Sequence, residues 1–185
     1  MRRDHKINLL DTPGYADFLG EVVAGLRVAD GGGVLGAAPS GIEVGTEQMW
    51  DLLDKQSAPR IVFINKMDRV GADFHKVVKQ IEERLASNPI VVQLPIGSEA
   101  EFSGVVDLVT MRAVVWKEET LGAEFVDQDI PAELADQAAD YRLRLVEAAV
   151  ELDDDVLEAY LGDDARPEEV EQKRRDLRRL KVASL

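Results

Sequence analysis

The chain has 185 residues, of which 45% are apolar and none is cysteine, so it can bury a core but cannot form disulfides, thiolate metal sites or a cysteine nucleophile. No apolar run is long enough to cross a membrane, and Ile7–Leu10 is too short for the core of a signal peptide, so we expect a cytoplasmic protein without a membrane partner. The net charge of −14 comes from Glu118–Glu171, where nineteen acidic and three basic residues argue against direct nucleic-acid binding by this half.

Strand and helix patterns alternate through residues 1–88. The predicted elements there are a short buried strand at Lys6–Leu10, a helix at Asp17–Ala29, a strand poor in β-branched residues at Val34–Ala38, a helix at Thr46–Gln56, a strand at Arg60–Asn65 and a helix capped by Asp73 with an apolar stripe from Phe74 to Leu85. Arg60–Asn65 is the clearest strand, because a continuous apolar run is typical of a parallel strand covered on both faces. The alternation predicts an α/β fold with a parallel sheet.

The pattern changes after Asn88-Pro89, and residues 89–185 are predicted to form an α+β subdomain. Its predicted elements are strands at Val91–Pro95, Phe102–Val109, Ala113–Trp116 and Gly122–Val126, with Gly97 and Gly104 in turns, and then helices that begin at Pro131, Asp155 and Pro167. The apolar stripe of the Pro131 helix predicts that its acidic residues face outward, namely Glu133, Asp136, Asp140, Glu147 and Glu151. This face is either a solvated surface or a docking face for a basic or helical partner.

The segment Asp11-Thr12-Pro13-Gly14 lies between a predicted strand and a predicted helix. In α/β proteins that handle phosphate, an aspartate at the carboxyl end of a strand holds Mg²⁺, often through water. A glycine shortly after it lets a backbone N–H approach a terminal phosphate closely. By itself the D-x-x-G pattern is more often a loop with a helix cap.

The segment Asn65-Lys66-Met67-Asp68 follows the clearest strand and suits guanine. The carboxylate of Asp68 can accept hydrogen bonds from the ring N–H and the exocyclic amine, a pair of donors that adenine cannot supply. The stem of Lys66 can lie along the base while its charge stays in water, and Asn65 can tie neighbouring loops together. Because both segments follow strands of one predicted parallel sheet, we expect them at the same edge, although a loop with a helix cap is the alternative.

Together these segments resemble the GTP-binding domain of the translational GTPases and, within that family, elongation factor G. The resemblance rests on Asp11–Phe18 (DTPGYADF), Ile61–Ala72 (IVFINKMDRVGA), Val91–Trp116 and Ile130–Leu161, the last two being similar to an inserted subdomain. It implies a partial P-loop GTPase domain at residues 1–88 and the insert at residues 89–185. It also implies GTP or GDP and Mg²⁺ as cofactors, the ribosome as partner, and a role in translocation or recycling.

The resemblance assigns roles to the two segments. Asp11 would hold Mg²⁺ through water, Gly14 would sense the γ-phosphate, and Tyr15 would be the catalytic residue beside the attacking water. The base would be read by Asn65, Lys66 and Asp68. The nucleotide site as a whole would comprise Asp11, Thr12, Pro13, Gly14, Tyr15, Asn65, Lys66, Met67 and Asp68.

Three of the departures from the family pattern bear on function or packing. The sequence contains no G-x-x-x-x-G-K-S/T loop, which the family carries upstream of Met1, so we expect the isolated chain to be inactive. Tyr15 stands where the family usually has a histidine, and a neutral phenol can donate one hydrogen bond but cannot act as an imidazolium. Gly31–Ala38 replaces a strand that is usually β-branched, so weak packing is expected there.

These departures leave two alternatives to an active GTPase domain. One is a non-catalytic module that binds ribosomal stalk protein through its acidic insert. The other is an elongation-factor-G-like paralogue that binds GTP but hardly hydrolyses it.

Overall fold

The structure is a computed structural model that describes residues 6–14, 16–116 and 124–150. It contains a parallel pair of strands, followed along the chain by a four-stranded antiparallel sheet. This order, parallel α/β first and α+β second, is the one predicted from the sequence. No helix within these ranges is both long enough and apolar enough to cross a membrane.

The observed elements follow the predicted ones closely. The helices are α1 Leu19–Leu26, α2 Val44–Lys55, α3 Phe74–Leu85 and α4 Ala132–Val150, with short 3-10 turns at Ala16–Phe18 and Glu99–Glu101. The strands are β1 Gly32–Ala37, β2 Arg60–Asn65, β3 Gln93–Ile96, β4 Gly104–Asp107, β5 Arg112–Trp116 and β6 Phe125–Gln128. The helices predicted to begin at Asp155 and Pro167 lie outside the described residues.

The parallel pair is built from β1 and β2, which align residue by residue from Gly32 opposite Arg60 to Ala37 opposite Asn65. One face of this pair packs against α2 and α3. The buried core between them consists of Val34, Ile42, Trp50, Leu53, Val77 and Ile81. The weak packing expected at Gly31–Ala38 does not apply to the face that meets the helices, where Val34 and Ala38 are both buried.

The other face of the parallel pair is open. Leu35 is 70% exposed, and Ile61 and Phe63 are each 58% exposed. The prediction that β2 is covered on both faces is therefore wrong for the described part of the chain. A continuous apolar run shows that a strand can be covered twice, but the cover itself has to come from another element.

The predicted strand at Lys6–Leu10 is not formed. This segment is irregular, and its side chains point into solvent, with Ile7 at 80% and Leu9 at 90% exposure. A strand exists only where a neighbour supplies hydrogen-bond partners for its backbone. Neither β1 nor β2 pairs with this segment, so an apolar pattern alone does not make it a strand.

The antiparallel sheet has the strand order β3-β4-β5-β6, and α4 covers one of its faces. The residues that meet between sheet and helix are Leu94, Val106, Leu108, Leu134, Ala138, Tyr141 and Leu145. The acidic side of α4 is turned away from this core, so Glu133, Asp136, Asp140 and Glu147 are exposed as predicted. Glu151 lies outside the described residues.

Two glycines that the sequence placed in turns have different roles. Gly97 has a φ of 74° and lies in the turn between β3 and β4, as predicted. Gly104 is instead the first residue of β4. A Cβ there would overlap the backbone oxygen of Val114 on β5, so glycine permits the two strands to approach.

The two sheets are joined through α3 and α4. Phe74, at the start of α3, packs against the core of the antiparallel sheet. Next to it, the exposed His75 stacks on Tyr141 of α4, with 6.2 Å between ring centroids. The antiparallel unit is therefore held against the helix that follows β2 and its loop.

Candidate functional site

The loop after β2 begins at Asn65, the last residue of that strand. The carbonyl of Asn65 accepts a hydrogen bond from the N–H of Ala38 at 2.8 Å, which continues the parallel ladder by one residue. The side-chain oxygen of Asn65 accepts the N–H of Lys66 at 2.8 Å. The backbone of Asn65 thus connects the loop after β2 to the loop after β1. The side chain of Asn65 instead fixes the first turn of its own loop.

The loop then turns sharply and presents two charged side chains. Lys66 has a φ of 60°, in the left-handed region that non-glycine residues seldom adopt. The N–H of Arg69 donates to the carbonyl of Lys66 at 3.2 Å, which closes the turn. Lys66 and Asp68 are both exposed, and within the described residues the carboxylate of Asp68 has one exposed ion pair, with Arg69 at 3.4 Å. Such a pair is weak, so both head groups are available to a ligand.

Met67 points the opposite way and anchors the loop. It is 5% exposed and forms a small core with Ala38 and Ala72. Phe74 and Phe102 pack against this core from the side. Because the side chain of Met67 is buried, Lys66 and Asp68 on either side of it are held at the surface.

Two residues that sequence reasoning missed also reach this loop. Phe102 packs on the Met67 core, and Glu99 makes hydrogen bonds with two backbone groups of the loop. Both belong to the connection between β3 and β4. The sequence signals a turn there through Gly97, but it carries no sign of what the turn touches.

The Asp11–Gly14 segment lies beside α1 and the start of α2. A Cβ at Gly25 of α1 would lie 3.4 Å from the methyl group of Thr12, and one at Gly45 of α2 would lie 4.0 Å from the carbonyl oxygen of Gly14. Thr12 is half-buried, whereas Asp11, Pro13 and Gly14 are exposed. The expectation that this segment follows a strand is wrong, since residues 6–10 form none.

Both segments lie towards one edge of the parallel pair. The connection from β1 to α2 leaves that edge beside Asn65, and Gly14 is near the start of α2. In the described ranges, no hydrogen bond or ion pair joins Asp11–Gly14 to Asn65–Asp68. Tyr15, the predicted catalytic residue, lies outside the described residues.

The fit of the site to Mg²⁺ rests on Asp11 alone. Within the described residues, no three acidic or histidine side chains cluster as a ready-made metal site. Mg²⁺ usually keeps several waters and binds through one or two carboxylates together with phosphate oxygens of a substrate. An exposed single carboxylate therefore fits a water-mediated contact with a nucleotide-bound Mg²⁺, but not a metal site made by protein alone.

Comparison with known proteins identifies the family to which the chain belongs. A family model described as the elongation factor Tu GTP binding domain matches residues 1–174, a range that includes both segments. The elongation factor G of Rhodopseudomonas palustris (strain BisB18) is 53% identical over 169 residues. That alignment covers 91% of the chain and 24% of the relative, so the chain spans about a quarter of that protein's length.

A solved crystal structure of a protein from Thermus thermophilus is similar in fold. It matches with a TM-score of 0.80 and 30% sequence identity. The match covers 94% of this chain and 26% of the other.

Proposed function

The chain belongs to the family of the elongation factor Tu GTP binding domain, and we propose on this basis that it binds the guanine base in a translation factor that hydrolyses GTP on the ribosome. The strong similarity to an elongation factor G favours a role in translocation or recycling. A whole protein of that kind would work in the cytoplasm. GTP or GDP would be the ligand, with Mg²⁺ bound between Asp11 and the phosphates.

The observation that carries this proposal is the loop after β2. Its backbone is fixed at Asn65 and Met67, while Lys66 and Asp68 are exposed and have no strong partner in the part of the chain that the structure describes. A carboxylate held in place at the surface can accept both donors on the edge of guanine. Pre-organisation of this kind reduces the entropy lost when a ligand binds.

The Asp11–Gly14 segment would serve the phosphates. Asp11 would contact Mg²⁺ through water, and Mg²⁺ would neutralise charge on the phosphates during transfer. Thr12 is held beside α1, and Gly14 is exposed with no atom within 4 Å of a built Cβ, so a terminal phosphate would have room to approach its backbone. Tyr15 would follow at the position of the attacking water.

Asp68→Asn tests the base assignment in a longer protein that joins this chain to a phosphate-binding loop. An amide presents one donor and one acceptor where guanine requires two acceptors, so GTP affinity should fall. Xanthine carries a carbonyl in place of the amine and should pair with the new amide. We expect the ratio of GTP to XTP affinity to change by roughly tenfold or more, measured by calorimetry.

Asp51→Asn is the matched control, because Asp51 is an exposed aspartate on α2 outside both segments. It should leave both affinities unchanged. A GTP to XTP ratio that is the same before and after Asp68→Asn would show that Asp68 does not read the base.

A second function is favoured by the exposed acidic residues of α4. Glu133, Asp136, Asp140 and Glu147 form an outward face with no ion pair among the described residues. Opposite charge speeds the encounter of two proteins. We propose this face as a docking site for ribosomal stalk protein.

A further inference from the structure

Glu99 contacts the loop that carries Lys66 and Asp68, although it belongs to the antiparallel sheet's β3–β4 connection. We propose that Glu99 is a positioning residue that holds this loop in the shape that presents Asp68 to a guanine base. The inference deepens the proposed function and rests on it. It assigns to the antiparallel unit a part in base recognition that acts through this loop.

Two hydrogen bonds join Glu99 to the loop. The N–H of Glu99 donates to the carbonyl of Met67 at 2.8 Å. The N–H of Gly71 donates to the carboxylate of Glu99 at 2.7 Å. These contacts lie on both sides of Asp68 in the sequence, so they restrain the backbone before and after it.

The backbone of Glu99 is itself unusual. Its φ of 54° lies in the left-handed region, which costs a non-glycine residue free energy unless surrounding structure holds it there. Glycine would adopt this conformation without that cost. Glutamate gives the position something that glycine cannot, a carboxylate that accepts the Gly71 N–H.

The turn that carries Glu99 is restrained by a backbone hydrogen bond across its base and by a tight bend at Gly97. The N–H of Ser103 donates to the carbonyl of Ile96 at 3.0 Å. Gly97 has positive φ, and a Cβ there would overlap the carbonyl of Glu101. A turn constrained in this way positions Glu99 more accurately than a free loop would.

Phe102 makes a second, apolar contact between the same turn and the loop, against Met67 and Ala72. This packing holds the turn near the loop but is non-directional. The hydrogen bonds of Glu99 are directional and act on named peptide groups. The two contacts therefore have different effects. Phe102 keeps the turn close to the loop, and Glu99 orients the peptide groups of the loop.

The first test is amide hydrogen exchange at Gly71, followed by NMR in the 185-residue chain. Glu99→Gly removes the carboxylate, keeps the N–H and eases the left-handed backbone, so the fold is retained. It should speed exchange at Gly71 about fivefold or more, whereas Glu99→Gln, which keeps a neutral acceptor, should lie between. Glu101→Ala, an exposed change in the same turn, should leave Gly71 unchanged.

The second test is nucleotide affinity in the longer protein that carries a phosphate-binding loop. Glu99→Gly should weaken GTP binding about fivefold and leave the affinity for pyrophosphate unchanged, because pyrophosphate has no base. Glu99→Gln should restore part of the GTP affinity. If Glu99 only supported the fold in general, Glu99→Gly would lower the affinities for GTP and for pyrophosphate together.

The outcomes separate the two proposals. Unchanged Gly71 exchange in Glu99→Gly, or equal acceleration in Glu101→Ala, would overturn the hold of Glu99 on the loop. Faster exchange with unchanged GTP affinity would overturn its role in base recognition. If Asp68→Asn leaves the GTP to XTP ratio unchanged, the proposed function fails and the base-recognition role fails with it, while Gly71 exchange still decides whether Glu99 holds the loop.

Discussion

At the residue scale, Gly104 allows two neighbouring strands, β4 and β5, to pair at close distance. Its Cα faces the backbone of β5, and a Cβ would overlap the carbonyl oxygen of Val114. Gly104→Ala should force the two strands apart and lower the free energy of unfolding by about 1–3 kcal/mol, measured by urea denaturation.

Gly33→Ala is the matched control, because Gly33 also lies in a strand but a Cβ there would meet no atom within 4 Å. We expect a change within about 0.5 kcal/mol. Equal destabilisation by both substitutions would contradict the prediction that the close approach of β4 and β5 sets the effect.

Tyr15 is the residue that we propose lies beside the attacking water, at a position where the resemblance to translational GTPases leads us to expect a histidine. In the longer protein, Tyr15→His should raise the rate of ribosome-stimulated GTP hydrolysis, because imidazole can take up a proton and act as an imidazolium, whereas a neutral phenol can only offer hydrogen bonds to the water. Groups of this kind typically contribute about 10²–10⁴-fold. The gain should appear in kcat with little change in nucleotide affinity.

Single-turnover hydrolysis in the presence of ribosomes measures this effect, and Tyr15→Phe serves as the control that removes only the hydroxyl. A rate that stays the same or falls in Tyr15→His would mean that the phenol already suits its role.

At the scale of elements, α4 has two sides of different character. One side forms the core with the antiparallel sheet, and the other carries the exposed acids. Reversing charge with Asp136→Lys and Asp140→Lys should slow association with isolated stalk protein at low salt, because attraction between unlike charges mainly raises the association rate. Screening should remove the difference at high salt.

Stopped-flow association at two salt concentrations measures these rates. Asp51→Lys with Glu82→Lys gives the same change in net charge on α2 and α3, both at exposed positions. Each substitution should cost under about 0.5 kcal/mol of stability. If the α4 variant and this control bind stalk protein equally fast at low salt, the acidic face is a solvated surface rather than a docking site.

At the scale of the whole molecule, the 185-residue chain contains the Asn65–Asp68 loop, which we propose reads the base, but no G-x-x-x-x-G-K-S/T loop. The charge-assisted hydrogen bonds that such a loop gives to phosphate are therefore lacking. Calorimetry with Mg²⁺-GTP should find only weak binding. The longer protein is the comparison, and submicromolar binding by the 185-residue chain would contradict the prediction.

Local sequence patterns were enough to predict the described helices and to single out the loop after β2 as the candidate site for the base. The stripe of α3 has a 3.6-residue period, so Val77 and Ile81 are buried, and Asp73 accepts the N–H of Lys76 at 2.9 Å as a cap. Both signals are local, because a helix makes its hydrogen bonds within one segment. The Asn65–Asp68 motif is local for the same reason, since four consecutive residues carry the proposed chemistry.

Only the folded arrangement of the chain decided which apolar segments pair as strands. It also decided which side chains contact the loop after β2. Lys6–Leu10 has a strand-like pattern but no pairing, and β2 is apolar on both faces yet covered on one. Glu99 reaches Gly71 from 28 residues away. Strand pairing and contacts of this kind depend on what the fold places opposite a residue, and no local pattern in the sequence contains that information.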